Sequence, residues 1–223
     1  MNRVALFACL GIVAVLAAVA SADTVTLTFE GLQTYEPILS YYNGGFGGFG
    51  SGPGPSYGVI FGSDSLAIIS AAEGGGGNFT NAPSGDTIAF FLSGAGDVMD
   101  VPSGFTTGFS FYYSSPFYAG SVTVYSGLDG SGSVLANLFL PTTPNGEPEY
   151  PYNYSIWEPI GVSFSGTAES VNFSGVADYI GFDNITLGSQ TPTGVPEPCG
   201  VVGLIGLGAM GLLGLVWRRR KAA

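Results

Sequence analysis

Histidine is absent from this chain, and its five Lys and Arg residues stand only at the two ends: Arg3, then Arg218, Arg219, Arg220 and Lys221. The two cysteines, Cys9 and Cys199, also lie outside the stretch between Asp23 and Glu197. That stretch holds all 16 acidic residues and no basic one, against a formal charge of −11 for the whole chain. Each absence excludes a chemistry. Without imidazole or thiolate the body cannot build a nitrogen- or sulfur-ligated metal site, nor a serine or cysteine nucleophile activated by histidine. Without cysteine it has no disulfide bracing. Without cations it cannot clamp phosphate, and its negative field repels a nucleic-acid backbone, so nucleic acid is excluded as a partner. No interior segment sustains an apolar stripe of helical period over three turns. The chemistry left is that of oxygen atoms and aromatic rings.

The ends have a different composition. Arg3 precedes an apolar run from 4 to 19, and Ala20-Ser21-Ala22 precedes Asp23. This is the pattern of a secretory leader over 1–22, cut by signal peptidase between Ala22 and Asp23. At the other end a Pro-rich linker (191–198) carries Pro196, Glu197 and Pro198. An apolar glycine-rich stretch over 199–217 follows, and then Arg218, Arg219, Arg220 and Lys221 in a basic tail (218–223). As a helix, its apolar core would span about 26 Å, close to the lower limit for a hydrocarbon core of about 30 Å. The basic cluster after it predicts a cytoplasmic stop and an exported body.

These three features in this order resemble the PEP-CTERM sorting signal of exported bacterial proteins. The resemblance implies transient anchoring in the inner membrane of a Gram-negative bacterium and processing by an exosortase-like membrane protease near Pro196-Glu197-Pro198. It also implies delivery to the cell surface or extracellular matrix.

The body, 23–190, reads as β throughout. Apolar and polar residues alternate over 24–29, over 106–113 with Phe109, Phe111 and Tyr113 on one face, and over 121–125 with Val122 and Val124 inward. Further short strands are expected at 57–61, 65–69, 87–92, 134–140, 160–164, 170–173 and 179–187. Runs this short, separated by Gly, Pro, Asn and Ser, predict an all-β sandwich or barrel in one domain. Asp129-Gly130-Ser131-Gly132 lacks the alternating acids of a calcium loop and predicts a hairpin turn. The glycine-rich segment 41–55 predicts a long surface loop whose aromatics either cover a sheet edge or stay exposed. Packing is the commoner fate of Phe.

Leu27-Thr28-Phe29-Glu30-Gly31 together with 177–187 resembles the first and last strands of a jelly roll found in exported bacterial proteins and carbohydrate-binding modules. In the last strand Ile180, Phe182, Ile185 and Leu187 can all face one core only if the register changes at Asp183-Asn184, as a bulge would allow.

Oxygen chemistry points to Ca2+ as the cofactor, with Glu30 and Asp183 as first ligands and Asp178 as a further one. Alternatively, Glu30 opens a turn and Asp183 caps one through its own side chain. Tyr150, Tyr152 and Trp157 are the expected rings for stacking on glycan. Glu147, Glu149 and Glu158 nearby are the carboxylates that a glycoside hydrolase would need. The leading expectation is a non-catalytic surface or matrix protein, sorted by exosortase and associated with extracellular polysaccharide. A carbohydrate-binding module with a defined sugar site and a carboxylate-based glycoside hydrolase are the alternatives.

Overall fold

A computed structural model describes residues 24–94, 96–146 and 153–194. Twelve strands lie among them: β1 (Val25–Leu27), β2 (Glu36–Pro37), β3 (Ile60–Phe61), β4 (Ser65–Ile69), β5 (Thr87–Phe91), β6 (Gly96–Phe105), β7 (Gly108–Ser114), β8 (Gly120–Tyr125), β9 (Val134–Leu140), β10 (Glu158–Ser163), β11 (Ala168–Ser174) and β12 (Gly181–Leu187). They form a seven-stranded sheet in the order β10-β7-β12-β5-β4-β2, with β1 also paired to β12, and a five-stranded sheet in the order β3-β6-β11-β8-β9. The sheets bury one shared core, so the body is a jelly-roll-like β-sandwich.

Alternation in β7 turns Phe109, Phe111 and Tyr113 inward, and in β8 it does the same for Val122 and Val124, as their period requires. Phe111 sits at the centre. Its ring centroid lies 5.5 Å from Phe109, 5.7 Å from Phe182, 6.0 Å from Phe173 and 6.3 Å from Tyr113. Edge-on packing of this kind adds about 0.5–1.5 kcal/mol per pair beyond area burial.

The register change in β12 occurs where the sequence demands it. Pairing with β7 slips between Asp183 and Thr186, and Asn184 takes a positive φ of 48°. Ile180, Phe182, Ile185 and Leu187 all reach the core as a result. The slip also divides the other edge of β12, where Phe182 pairs with Ala89 of β5 and 185–187 pair with β1. First and last strands are thus neighbours. The hairpin at 126–133 joins β8 to β9, with Asp129 and Gly130 both at positive φ.

β6 is the longest strand and has no counterpart among the expected ones. Its sequence, GDVMDVPSGF, reads as turn residues, yet Asp97, Met99 and Val101 alternate inward. The inward Asp97 is tolerated because the Ser65 hydroxyl donates to it, and burial pushes its carboxyl up to about 7.

β5 is buried along its whole length, on both faces. Its outer side is covered by a second apolar cluster of Ile68, Phe79, Ile88, Phe90 and Tyr154, with Trp157 packed against it. This layer brings the segments around 78 and 153 together at one end of the larger sheet.

No terminal membrane helix is part of the described fold, and 1–22 and 199–217, where such helices were expected, lie outside the described residues. Among the described residues no helix is long and apolar enough to cross a membrane, and the helical turn at Ala71–Glu73 has three residues. Ala22, Asp23, Pro196, Glu197, Pro198, Arg218, Arg219, Arg220 and Lys221 lie outside the described residues, as do Tyr150 and Tyr152.

Candidate functional site

Glu30 and Asp183, the first expected ligands, each bond to the turn at 84–87. The chain turns sharply at Phe29, whose φ of 63° is in the left-handed region, and Glu30 then reaches the start of β5. Glu30 Oε1 accepts from the backbone N–H of Asp86 (3.0 Å) and Thr87 (2.8 Å). Asp183 is fully buried. Its Oδ2 accepts from Ser84 N (2.8 Å), its Oδ1 from Asn184 N (2.7 Å), and the Ser84 hydroxyl donates to the pair. Burial pushes Asp183 up to about 8, opposed by the Ser84 and Asn184 hydrogen bonds, while the nearby Glu30 charge raises it further. Asp178 does not join this pair. Its N–H bonds to Phe91 O at the far end of β5, four residues from Thr87 or roughly 13 Å at strand rise. Among the described residues no group of three acidic side chains converges.

A pH dependence with a definite sign follows. Unfolded, Asp97 and Asp183 release their protons near 3.8, whereas folded they keep them to about 7 and about 8. Between these values folding takes up protons, so stability is full below the lower value and is lost as pH rises through the upper ones. Thermal melts from pH 4 to 9 are expected to show stability falling with pH, each group contributing up to about 1.4 kcal/mol per pH unit. Asp183→Asn should remove its share of the slope. Stability that climbs across this range would contradict the burial assigned to both groups.

A second constellation stands at the opposite end of β5, where four connections converge. They bring Asn78 from between β4 and β5, Phe117 and Tyr118 from between β7 and β8, Asn153 and Tyr154 from before β10, and Asp178 and Tyr179 from between β11 and β12. These residues line an open cleft of about 420 Å³. Phe117, Tyr118 and Tyr179 are 43%, 45% and 37% exposed, whereas Tyr154 is buried beneath them. Tyr179 contacts both other exposed rings, 4.7 Å from Tyr118 and 6.1 Å from Phe117, and is nearly perpendicular to each.

The cleft is held from below. Buried Ser115 places its hydroxyl 2.5 Å from Tyr118 O and 3.1 Å from Tyr179 O, tying two of the loops together. Its N–H donates to Thr143 Oγ1. Tyr154 N donates to Asn78 O and Thr80 N to Tyr154 O, joining the other two. Asp178 lines the same cleft, and burial, and then its charge, raise the Tyr154 phenol above its ordinary range. A second open recess, at the other end of the sheets, holds the hydroxyls of Ser103, Thr106 and Thr167 and the exposed ring of Tyr57, without a carboxylate.

Of the rings expected to stack on glycan, only Trp157 is described. It packs edge-on against Phe79 (6.2 Å) and its indole N–H donates to Thr80 O (3.0 Å), so it supports the cleft from behind. Glu158 is exposed on β10, opposite Tyr113 of β7, and Glu147 and Glu149 lie outside the described residues. Phe117, Tyr118, Tyr179, Asn78 and Asn153 are not among the ligand-site residues expected from sequence. Their one shared signal is an aromatic or amide side chain in a connection between strands, where functional side chains concentrate.

No family model matches this chain, and no curated protein does. Solved structures similar to it include a carbohydrate-binding module of Cellvibrio mixtus lichenase 5A in complex with cellotriose (16% identity, 57% of this chain and 88% of that one, TM-score 0.33). Another is the K1 cleaved adhesin domain of Lys-gingipain from Porphyromonas gingivalis W83 (15% identity, 74% and 98%, TM-score 0.38). A third is a glycoside hydrolase family 43 arabinoxylan arabinofuranohydrolase from Bacillus subtilis in complex with cellotetraose (18% identity, 59% of this chain, TM-score 0.36), of which the chain spans only 27%. The fold class rests on the chain's own two sheets and not on these likenesses. The resemblance to a PEP-CTERM protein is corrected, since no family model matches this chain. With it the sorting and processing by exosortase and the inner-membrane anchoring are withdrawn.

Proposed function

We propose that this protein is a non-catalytic carbohydrate-binding module whose ligand lies in the cleft of Phe117, Tyr118 and Tyr179. The observation that carries this reading is the convergence of three exposed rings with two amides and one carboxylate on loops anchored by a rigid sandwich. Rings offer an apolar surface to the C–H face of a sugar, and amides and carboxylate accept and donate to its hydroxyls. Asp178 is the one carboxylate among the described lining residues, whereas glycoside hydrolysis uses two at about 5–9 Å. The uniformly anionic body disfavours polyanionic glycans. A panel of immobilised polysaccharides tests this: uncharged or amine-bearing polymers should retain the protein, without product release, and polyuronates should not. Retention on none of them would end the reading.

Calcium at Glu30 and Asp183 is proposed as a structural ion. What supports it is a buried carboxylate beside a second one, in a body with no cationic side chain to offset either. The same melts at pH 7 should shift upward with calcium chloride and downward with chelator. Identical melting in both would remove the ion.

A further inference from the structure

Resting on the glycan-binding reading, we infer that the cleft selects a sugar carrying a free ammonium group, as in a de-N-acetylated amino-sugar polymer. The ring geometry differs from a flat stacking platform. Tyr118 and Tyr179 meet at 83° and Phe117 and Tyr179 at 85°, so the rings form the walls of a corner. A broad sugar face suits coplanar rings, whereas a corner of aromatic walls offers a compact cation the negative faces of more than one ring.

The Asp178 carboxylate completes the corner. It lines the cleft with Tyr154 and Tyr179, and among the described residues no side chain or backbone N–H donates to it. Glu30, Glu36, Asp97 and Asp183 differ, because neighbouring donors take their oxygens. Its backbone is fixed by the Asp178 N–H to Phe91 O bond at 2.8 Å, and the residue is exposed at the cleft. No protein cation competes for it, since residues 24–194 contain none. The body's negative field also raises the local concentration of a cationic polymer before contact. An acetylated nitrogen is neutral and bulkier, and loses both attractions.

The test compares oligomers of equal length on the purified full-length chain by calorimetric titration: glucosamine, N-acetylglucosamine and glucose. The glucosamine oligomer should bind at least ~10-fold more tightly than the other two, about 1.4 kcal/mol, with the advantage shrinking at high salt. Asp178 lies at a φ of 68°, a conformation that Asn accepts as readily as Asp, so Asp178→Asn removes charge without disturbing the loop. In that variant the preference for the free amine should fall close to one, with melting unchanged. Equal affinities for all three oligomers would overturn the inference and leave glycan binding standing, while no binding of any oligomer would overturn both. An oligolysine that binds as tightly as the glucosamine oligomer, and equally in Tyr179→Ala, would reduce the effect to net charge and overturn the inference.

Discussion

Replacing Glu36 by alanine is expected to cost roughly 3–6 kcal/mol of stability and to release the glycine-rich loop that follows it. This side chain is fully buried, and its carboxylate accepts the backbone N–H groups of Gln33 (2.7 Å), Phe49 (2.8 Å) and Ser51 (3.0 Å). Removing it leaves three partly buried donors without an acceptor, each worth about 1–2 kcal/mol there. Burial by itself would raise this carboxyl, but the hydrogen bonds from Ser51, Gln33 and Phe49 outweigh it and hold Glu36 below its ordinary value. Its contribution is therefore present at neutral pH and is lost as pH falls through the folded-state value, opposite in sign to that of Asp97 and Asp183. Gly47 is glycine for the same reason, since a Cβ there would lie 2.5 Å from Glu36 Oε1. Thermal unfolding and amide exchange over 44–55 measure the effect. Glu36→Gln keeps one acceptor and should cost about half as much. A loss of less than about 1 kcal/mol in the alanine variant would show that something else orders the loop.

Tyr179→Ala is expected to weaken glycan binding by roughly 30- to 150-fold, about 2–3 kcal/mol, the scale of a central aromatic anchor. Tyr179 is the ring common to both exposed aromatic contacts of the cleft, so its removal opens the corner as well as deleting one wall. Stability should change little, because the side chain is 37% exposed and its backbone is held independently by Ser115. Phe139→Ala is the control. That ring is 68% exposed on β9 of the other sheet, and its loss should alter neither binding nor melting beyond about 0.5 kcal/mol. Trp157→Ala has the opposite signature, since it removes packing against Phe79 and the bond to Thr80 O and should lower melting first. Glycan affinity in Tyr179→Ala equal to that of the parent chain would place the ligand elsewhere.

Much of the strand pattern was legible because it is local. Phe109, Phe111 and Tyr113 alternate, and alternation alone puts them on one face. The β12 bulge was legible because four apolar residues on one side of a strand admit no uniform register. β6 was not legible, since Asp97, Pro102 and two glycines look like punctuation until Ser65 on another strand supplies the hydroxyl that lets Asp97 turn inward. Nor was Glu36 singled out, because the donors it satisfies come from residues up to 15 positions away. The glycine-rich loop was legible only as a loop: Tyr41 and Tyr42 pack inward while Phe46 and Phe49 stay exposed, a division made by Glu36 and Phe29 and not by composition.

By itself, the sequence determined an acidic β body without imidazole, thiolate or cation, and so without the chemistries those groups carry. It did so because composition and period-two alternation are properties of neighbouring residues. Only the tertiary structure decided which rings face solvent and which carboxylate stands beside them. Phe117, Tyr118, Asp178 and Tyr179 come from connections some 60 residues apart in the chain, and only the pairing of β7 with β12 brings those connections to the same edge.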